Sequence, residues 1–200
     1  MENLSIKILF INYKGGVGKS ALAINLAAEI GADYVTNDII TTSTHAIQIA
    51  PNKRRIPKEL LGLDCVVFDF GAMSTQLDPK AVQVTEAADV IVIPTDTGAR
   101  SIEATIKTVN LVKPQGKPIA IVINNFTKQK LFDEAVSALT NALGEVAIFA
   151  IRSTTLFDRV AKDGADWYKN IHNEQGEWRL NKTRIAHEAV YNAILDLGLK

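Results

Sequence analysis

Cysteine is nearly absent from this chain: Cys65 is the single one among 200 residues. One thiol excludes an internal disulfide framework and any paired-cysteine metal or redox site. Net charge is absent too, with 22 lysines and arginines against 22 aspartates and glutamates. A globally basic coat for nucleic acid is thereby excluded, and any such contact must come from a local patch. No run approaches the ~18 uninterrupted apolar residues of a membrane-spanning helix. The first residues lack a basic segment and a small-residue cleavage site, so no secretory signal is expected. No segment repeats at a fixed period. What is present is an apolar fraction of 47%, enough to build a sizeable core. The expectation is a single cytoplasmic domain spanning residues 1–200.

Short apolar runs alternate with helical stripes from end to end. Ile6–Ile11, Asp33–Thr36, Cys65–Phe68, Val90–Ile93, Ile119–Ile123 and Val146–Ile151 read as strands, most of them apolar on both faces. Such runs require a parallel sheet covered on both sides. Between them, Ser20–Ile30 reads as an alanine-rich helix closed by Gly31. Ile102, Ile106 and Val109 form one helical stripe, and Leu131, Phe132, Ala135, Val136, Leu139, Ala142 and Leu143 another. Ile185, Ala189, Val190, Ala193, Ile194 and Leu197 predict the inward face of a C-terminal helix. The fold class is α/β, a mostly parallel twisted sheet flanked by helices on both faces. Ile39–Leu61 and Asp166–Lys182 carry no clear period.

The most informative segment is Tyr13-Lys14-Gly15-Gly16-Val17-Gly18-Lys19-Ser20, between the first strand and the first helix. Its glycines let backbone N–H groups turn inward, and the helix start adds partial positive charge, which together cradle a polyphosphate. Lys19 is placed to reach terminal phosphates and the Ser20 hydroxyl to hold Mg²⁺. An acid ending a hydrophobic strand completes such sites, and Cys65-Val66-Val67-Phe68-Asp69 supplies Asp69 as a second Mg²⁺ contact. Gly71 follows it at the head of a loop free to move.

Position 13 is tyrosine where the ordinary phosphate loop has glycine, and a second lysine, Lys14, stands five residues before Lys19. Here the sequence resembles the deviant Walker A ATPases, the ParA/MinD family, whose K-G-G-x-x-K-[ST] pattern is matched at Lys14, Gly15, Gly16, Lys19 and Ser20. The resemblance implies a P-loop NTPase fold of the SIMIBI type, binding of ATP and Mg²⁺, and slow, partner-stimulated hydrolysis to ADP and phosphate. It implies a nucleotide-sandwich homodimer in which Lys14 reaches the partner's phosphates, as an arginine finger does. Residues from Lys14 to Ala21 (Lys14, Gly15, Gly16, Val17, Gly18, Lys19, Ser20, Ala21) would surround the phosphates. Asp38 would activate water or touch Mg²⁺, although Thr36-Asn37-Asp38-Ile39-Ile40 lacks the family's proline–glutamine pair. Asn124 would contact the base, and Arg152 lies in a segment similar to the one that closes over it. No N-K-x-D acid follows Asn124, which favours adenine over guanine.

Within that family, one cysteine excludes the iron–sulfur members. The C-terminal helix has few lysines and a core-like stripe, so a membrane anchor is not expected. The chain is most similar to small ParA proteins, which implies ATP-dependent, non-specific DNA association, a nucleoid location, a ParB-like stimulator, and plasmid or chromosome partition. Lys53, Arg54, Arg55 and Lys58 form one candidate DNA-binding cluster, and Arg179, Lys182 and Arg184 another. Two other readings remain open: an accessory ATPase of a conjugation or secretion system, and a small-molecule ATP-dependent synthetase.

Overall fold

A computed structural model describes residues 4–38, 45–50, 52–71, 78–171 and 178–200. Its strands are β1 (Ile6–Ile11), β2 (Asp33–Thr36), β3 (Ile47–Gln48), β4 (Cys65–Phe70), β5 (Val90–Thr95), β6 (Ile119–Phe126) and β7 (Ala147–Arg152). They form one seven-stranded sheet in the order β3-β2-β4-β1-β5-β6-β7. Every pairing is parallel. From β1 the chain crosses to β2 and the edge strand β3, returns to β4 between β2 and β1, and then crosses to β5 and runs outward through β6 to β7, so its direction reverses at β1. In open parallel sheets the crevice beyond the carboxyl ends of the strands at such a reversal is where ligands bind.

The helices are α1 (Lys19–Ile30), α2 (Lys58–Leu61), α3 (Pro79–Ala87), α4 (Ala99–Val112), α5 (Gln129–Leu143), α6 (Leu156–Asn170) and α7 (Trp178–Gly198), with a 3-10 turn at Lys113–Gln115. Side chains alternate across the pleat, so each strand serves two cores. Leu9 and Ile11 point to the side of Val84, Val109 and Leu139 from α3, α4 and α5. Ile8 and Phe10 point to the side of Leu22 and Leu26 from α1 and of Tyr191 and Ile194 from α7. The sheet is thus covered on both faces, as the doubly apolar strands require.

Local chemistry explains the ends of these elements. Gly31 terminates α1 in the left-handed conformation, φ 70°, and its N–H bonds Ala27 O. The Asp78 side chain caps α3 by accepting from Lys80 N, with Pro79 in the first turn.

Several expectations shift. The fourth strand continues through Asp69 to Phe70, so Asp69 sits inside the sheet, and β6 runs on to Phe126. The stretch without period after Asp38 contains the two-residue edge strand β3 and the single turn α2, both too short to show a period; its residues 39–44 and 51 lie outside the described set. The described residues of Asp166–Lys182 fall at the end of α6 and the start of α7, and its residues 172–177 lie outside the described set. The expected inward face of α7 holds at Val190, Ile194 and Leu197, which pack into the core, and is corrected elsewhere: Ile185 is 53% exposed and Ala189 is exposed, whereas His187 and Tyr191 are buried. This helix carries apolar residues around most of its girth, and the aromatic rings rather than the alanines fill the space against the sheet. Among the described residues, no helix is long and apolar enough to cross a membrane.

Candidate functional site

The turn after β1 is anchored by Asn12, which is fully buried. Its Nδ2 donates to Pro94 O at 2.6 Å and to Thr105 Oγ1 at 3.1 Å, while its Oδ1 accepts from Lys14 N at 2.9 Å. Thr108 of α4 adds a bond from its hydroxyl to Asn12 Oδ1 and accepts from Tyr13 N at 3.1 Å. The entry of the loop is thereby fastened to β5 and α4 before the glycines begin.

Gly16 and Gly18 have φ of 78° and 85°, the left-handed region that side chains disfavour. Gly18 also has no room for a side chain, since a Cβ there would overlap Nδ2 of Asn124. That nitrogen donates to Val17 O at 3.3 Å, so β6 holds the loop from the other side. Asn125, φ 58°, then turns the chain at an irregularity in the β6–β7 register between Asn124 and Phe126.

Lys19 begins α1 and turns its ammonium to Asp69, 2.5 Å from Oδ1. Both groups are buried, at 8% and 0% side-chain exposure, so each charge depends on the other for compensation. The second oxygen, Oδ2, accepts from the Tyr34 hydroxyl at 2.7 Å. Burial, then the neighbouring Asp69 charge, push the Tyr34 phenol far above its ordinary range, so it remains a donor.

Beside Lys19 lies a cavity of about 480 Å³, lined by Lys14, Gly15, Gly16, Gly18, Lys19, Ser20, Ala21, Asp38 and Gly71, with Asp69 buried behind it. Asp38, expected to activate water or touch Mg²⁺, and Gly71, expected to let the following loop move, both line this cavity. Gly71 N donates to Asn37 Oδ1 at 2.7 Å, and a Cβ on Gly71 would stand 2.7 Å from Asp38 Oδ1. A side chain at position 71 would require the Asp38 carboxylate to turn aside.

A second cavity of about 700 Å³ shares Gly16, Gly18 and Ala21 with the first and extends to Asn124, Arg152, Phe157 and Asp158. Asn124 is 4% exposed and its Oδ1 has no hydrogen-bond partner. A buried acceptor without a donor is costly in a finished site, and it fits an incoming N–H group. The Arg152 guanidinium lies over the Phe126 ring, 5.1 Å from its centroid, and bonds Gln129 Oε1 at 3.0 Å. The strand ends of β1, β2, β4, β6 and β7 thus deliver Lys14, Asp38, Asp69, Asn124 and Arg152 to one edge of the sheet.

The basic clusters fare differently. Lys53, Arg54, Arg55 and Lys58 are exposed around buried Ile56. Arg179 and Lys182 are exposed on α7, with Arg179 stacked on Trp178 at 5.2 Å. Arg184 does not join them: its side chain is 17% exposed, bonding both oxygens of Glu29 at 3.1 and 3.3 Å with Glu188 at 3.5 Å. It is a brace between α7 and α1.

Sequence reading passed over Asn12, Tyr34 and Asp96. Asn12 left a signal, a polar residue interrupting an apolar strand end. Tyr34 left only a hydroxyl within a strand. Asp96 lies 3.5 Å from Lys14 through Oδ2, while its Oδ1 accepts from Gly98 N at 2.7 Å. Burial raises the Asp96 pKa, but the Ser101 hydroxyl, Gly98 N–H and Lys14 outweigh it and leave the carboxyl below its ordinary range.

Solved structures with the same architecture are numerous. A point variant of Cyanothece McdA in complex with ATP superposes with a TM-score of 0.65 at 13% identity, over 92% of this chain and 95% of that one. A ParA family ATPase from Chlorobium tepidum gives 0.62 at 17% identity, covering 100% and 99%. The cell division ATPase MinD of Pyrococcus furiosus gives 0.61 at 14%, covering 93% and 99%. The fold is that of the ParA/MinD ATPases. This seven-stranded parallel arrangement is the SIMIBI type of P-loop NTPase fold, as the loop motif implied. No protein-family model matches the sequence, and no curated protein matches it either. With the three structures above the identity is 13–17%, so the same fold is built here on a largely different sequence.

Proposed function

We propose that this chain is a Mg²⁺-dependent ATPase of the ParA type, which pairs on ATP, associates with DNA non-specifically and is released when ATP is hydrolysed. The observation that carries the reading is the buried Lys19–Asp69 pair beneath a left-handed glycine loop, with Lys14 at the same cavity's rim. A lysine and a carboxylate held out of water beside a glycine loop that leads into a helix N-terminus suit a ligand that brings both negative charge and a divalent cation. The ATP complex of the McdA variant supports the same ligand.

The residues fit the cation. Ser20, Asp69 and Asp38 offer only oxygen, the donor type Mg²⁺ prefers, and among the described residues no group of three acidic, histidine or cysteine side chains forms a dedicated cage. Mg²⁺ in such sites takes its remaining ligands from phosphate and water, and it neutralises charge on the transferred group.

Each residue then has a defined task. The backbone of Gly15–Gly18 donates to phosphate oxygens, and Lys19 adds a charge-assisted bond to the terminal phosphates. Asn124 Oδ1 accepts from the exocyclic amine of adenine, which satisfies its buried oxygen. Asp38 orients the attacking water and accepts its proton. Lys14 leaves Asp96 and neutralises the opposite protomer's phosphates, so hydrolysis waits on pairing. Lys53, Arg54, Arg55 and Lys58, with Arg179 and Lys182, supply phosphate contacts for DNA. A ParB-like stimulator and a plasmid or chromosome cargo complete the reading.

Sedimentation on plasmid DNA with ATP, ADP or no nucleotide tests it. Binding is expected only with ATP and Mg²⁺, and it should fade steeply with salt. Binding indifferent to nucleotide overturns the cycle.

A further inference from the structure

Asp69 is met by two donors of different mobility. Lys19 reaches it from α1 on a flexible four-carbon stem, whereas Tyr34 reaches it from β2, the strand beside β4. The register explains the second contact. Thr36 is the direct partner of Asp69 and Tyr34 the partner of Val67, so Tyr34 and Asp69 are diagonal neighbours on one face of the sheet. Diagonal pairs lie within reach of an aromatic side chain but not of most smaller ones. The Tyr34 ring is 6% exposed and packs with Val67 in the core beneath α1, so it has no freedom to follow Lys19 elsewhere.

This difference in mobility has a consequence for loading. When Lys19 turns to phosphate, Asp69 loses the one ionic partner it has among the described residues while remaining buried, a state that is strongly disfavoured unless another cation arrives. The hydrogen bond that persists through the exchange is the one from Tyr34. We propose that Tyr34 is the positioning residue of this site: its hydroxyl pins Oδ2 of Asp69, keeping Oδ1 turned to the glycine loop to exchange Lys19 for the divalent cation. The proposal rests on the reading of the cavity as a Mg²⁺–nucleotide site and deepens it. Without the hydroxyl, Asp69 is free to turn both oxygens to Lys19, and both lysine release and cation entry become harder.

Tyr34→Phe tests this, because it removes one oxygen and keeps the ring that fills the core. The first measurement is the Mg²⁺ concentration giving half-maximal binding of a fluorescent N-methylanthraniloyl ATP. A rise of about tenfold is expected, the loss of one hydrogen bond to a charged group. A ring that serves packing alone leaves this concentration unchanged, and that result overturns the proposal. The second measurement needs no nucleotide: urea unfolding midpoints of Tyr34→Phe, Asp69→Ala and the double variant. Tyr34→Phe should lower the midpoint in the native background and leave it unchanged beside Asp69→Ala; equal shifts in both overturn the contact. Should Asp69→Ala not fold, Asp69→Asn replaces it, and its neutral amide should shrink the Tyr34→Phe shift. If the native chain binds no ATP with or without Mg²⁺, the nucleotide reading fails. The unfolding cycle then still upholds or overturns the pairing of Tyr34 with Asp69.

Discussion

The ammonium of Lys14 stands 3.5 Å from the carboxylate of Asp96, with about one third of each side chain open to water. A pair this exposed contributes ~0–1 kcal/mol, so Lys14 can exchange Asp96 for a stronger anion at little cost. Lys14 also carries no burden in holding its own loop, since Asn12 bonds its backbone and not its side chain. Lys14→Ala should therefore keep ATP binding within a few fold of native while reducing turnover by about 10³, the scale set by trans-acting cations in phosphoryl transfer. Equilibrium binding and steady-state hydrolysis on the same preparation check this. Unchanged turnover removes Lys14 from the mechanism.

Gly18 is the most constrained position in the loop, because φ 85° and the adjacent Asn124 amide both exclude a side chain. Gly18→Ala should lower stability by about 1–3 kcal/mol and displace Asn124, whereas Gly15→Ala, with open space around it, should fold as the native chain does. Thermal unfolding of the two variants without nucleotide gives the comparison.

Acid should weaken the packing of α7 through His187. The ring is buried between Phe157, 5.3 Å away, and Tyr191, and burial lowers its pKa from 6.5 to about 4. Below about pH 6.5 the unfolded chain takes up a proton that the folded chain refuses until about pH 4, so stability falls as pH drops through that window. The loss approaches about 3 kcal/mol at its lower end. His187→Phe keeps a stacked ring and should flatten this part of a denaturation-against-pH profile.

The two basic clusters and the braced arginine make separable claims. Arg54→Ala with Arg55→Ala should weaken ATP-dependent DNA binding and lower its salt slope by about 2, leaving unfolding unchanged. Arg184→Ala should do the reverse, because it strands Glu29 in a half-buried position. DNA sedimentation across a salt series, paired with unfolding, separates them.

What could be read beforehand was whatever a short window contains. The glycine spacing, Lys19 and the apolar run into Asp69 are local patterns, and their strand and helix contexts hold in the structure. Asn12 is a local signal too, a polar residue at the end of an apolar strand, but its partners Pro94, Thr105 and Thr108 are distant in the chain. Tyr34 and Asp96 belong to a different class, since each matters through a partner 35 or 82 positions away. Such pairings follow from strand order, which periodicity does not encode. The face of α7 was legible only in part, at Val190, Ile194 and Leu197, because Ile185 and Ala189 share their helical period while the rings of His187 and Tyr191 take the buried positions beside them.

The brace between Arg184 and Glu29 gives α1 a role at its far end. This helix has 12 residues, a rod of roughly 18 Å, rooted in the phosphate loop at Lys19 and gripped by α7 near its last turn. With one end fixed in the loop and the other held by α7, the direction of the helix axis, and with it the place from which Lys19 departs, is set by two distant parts of the chain at once.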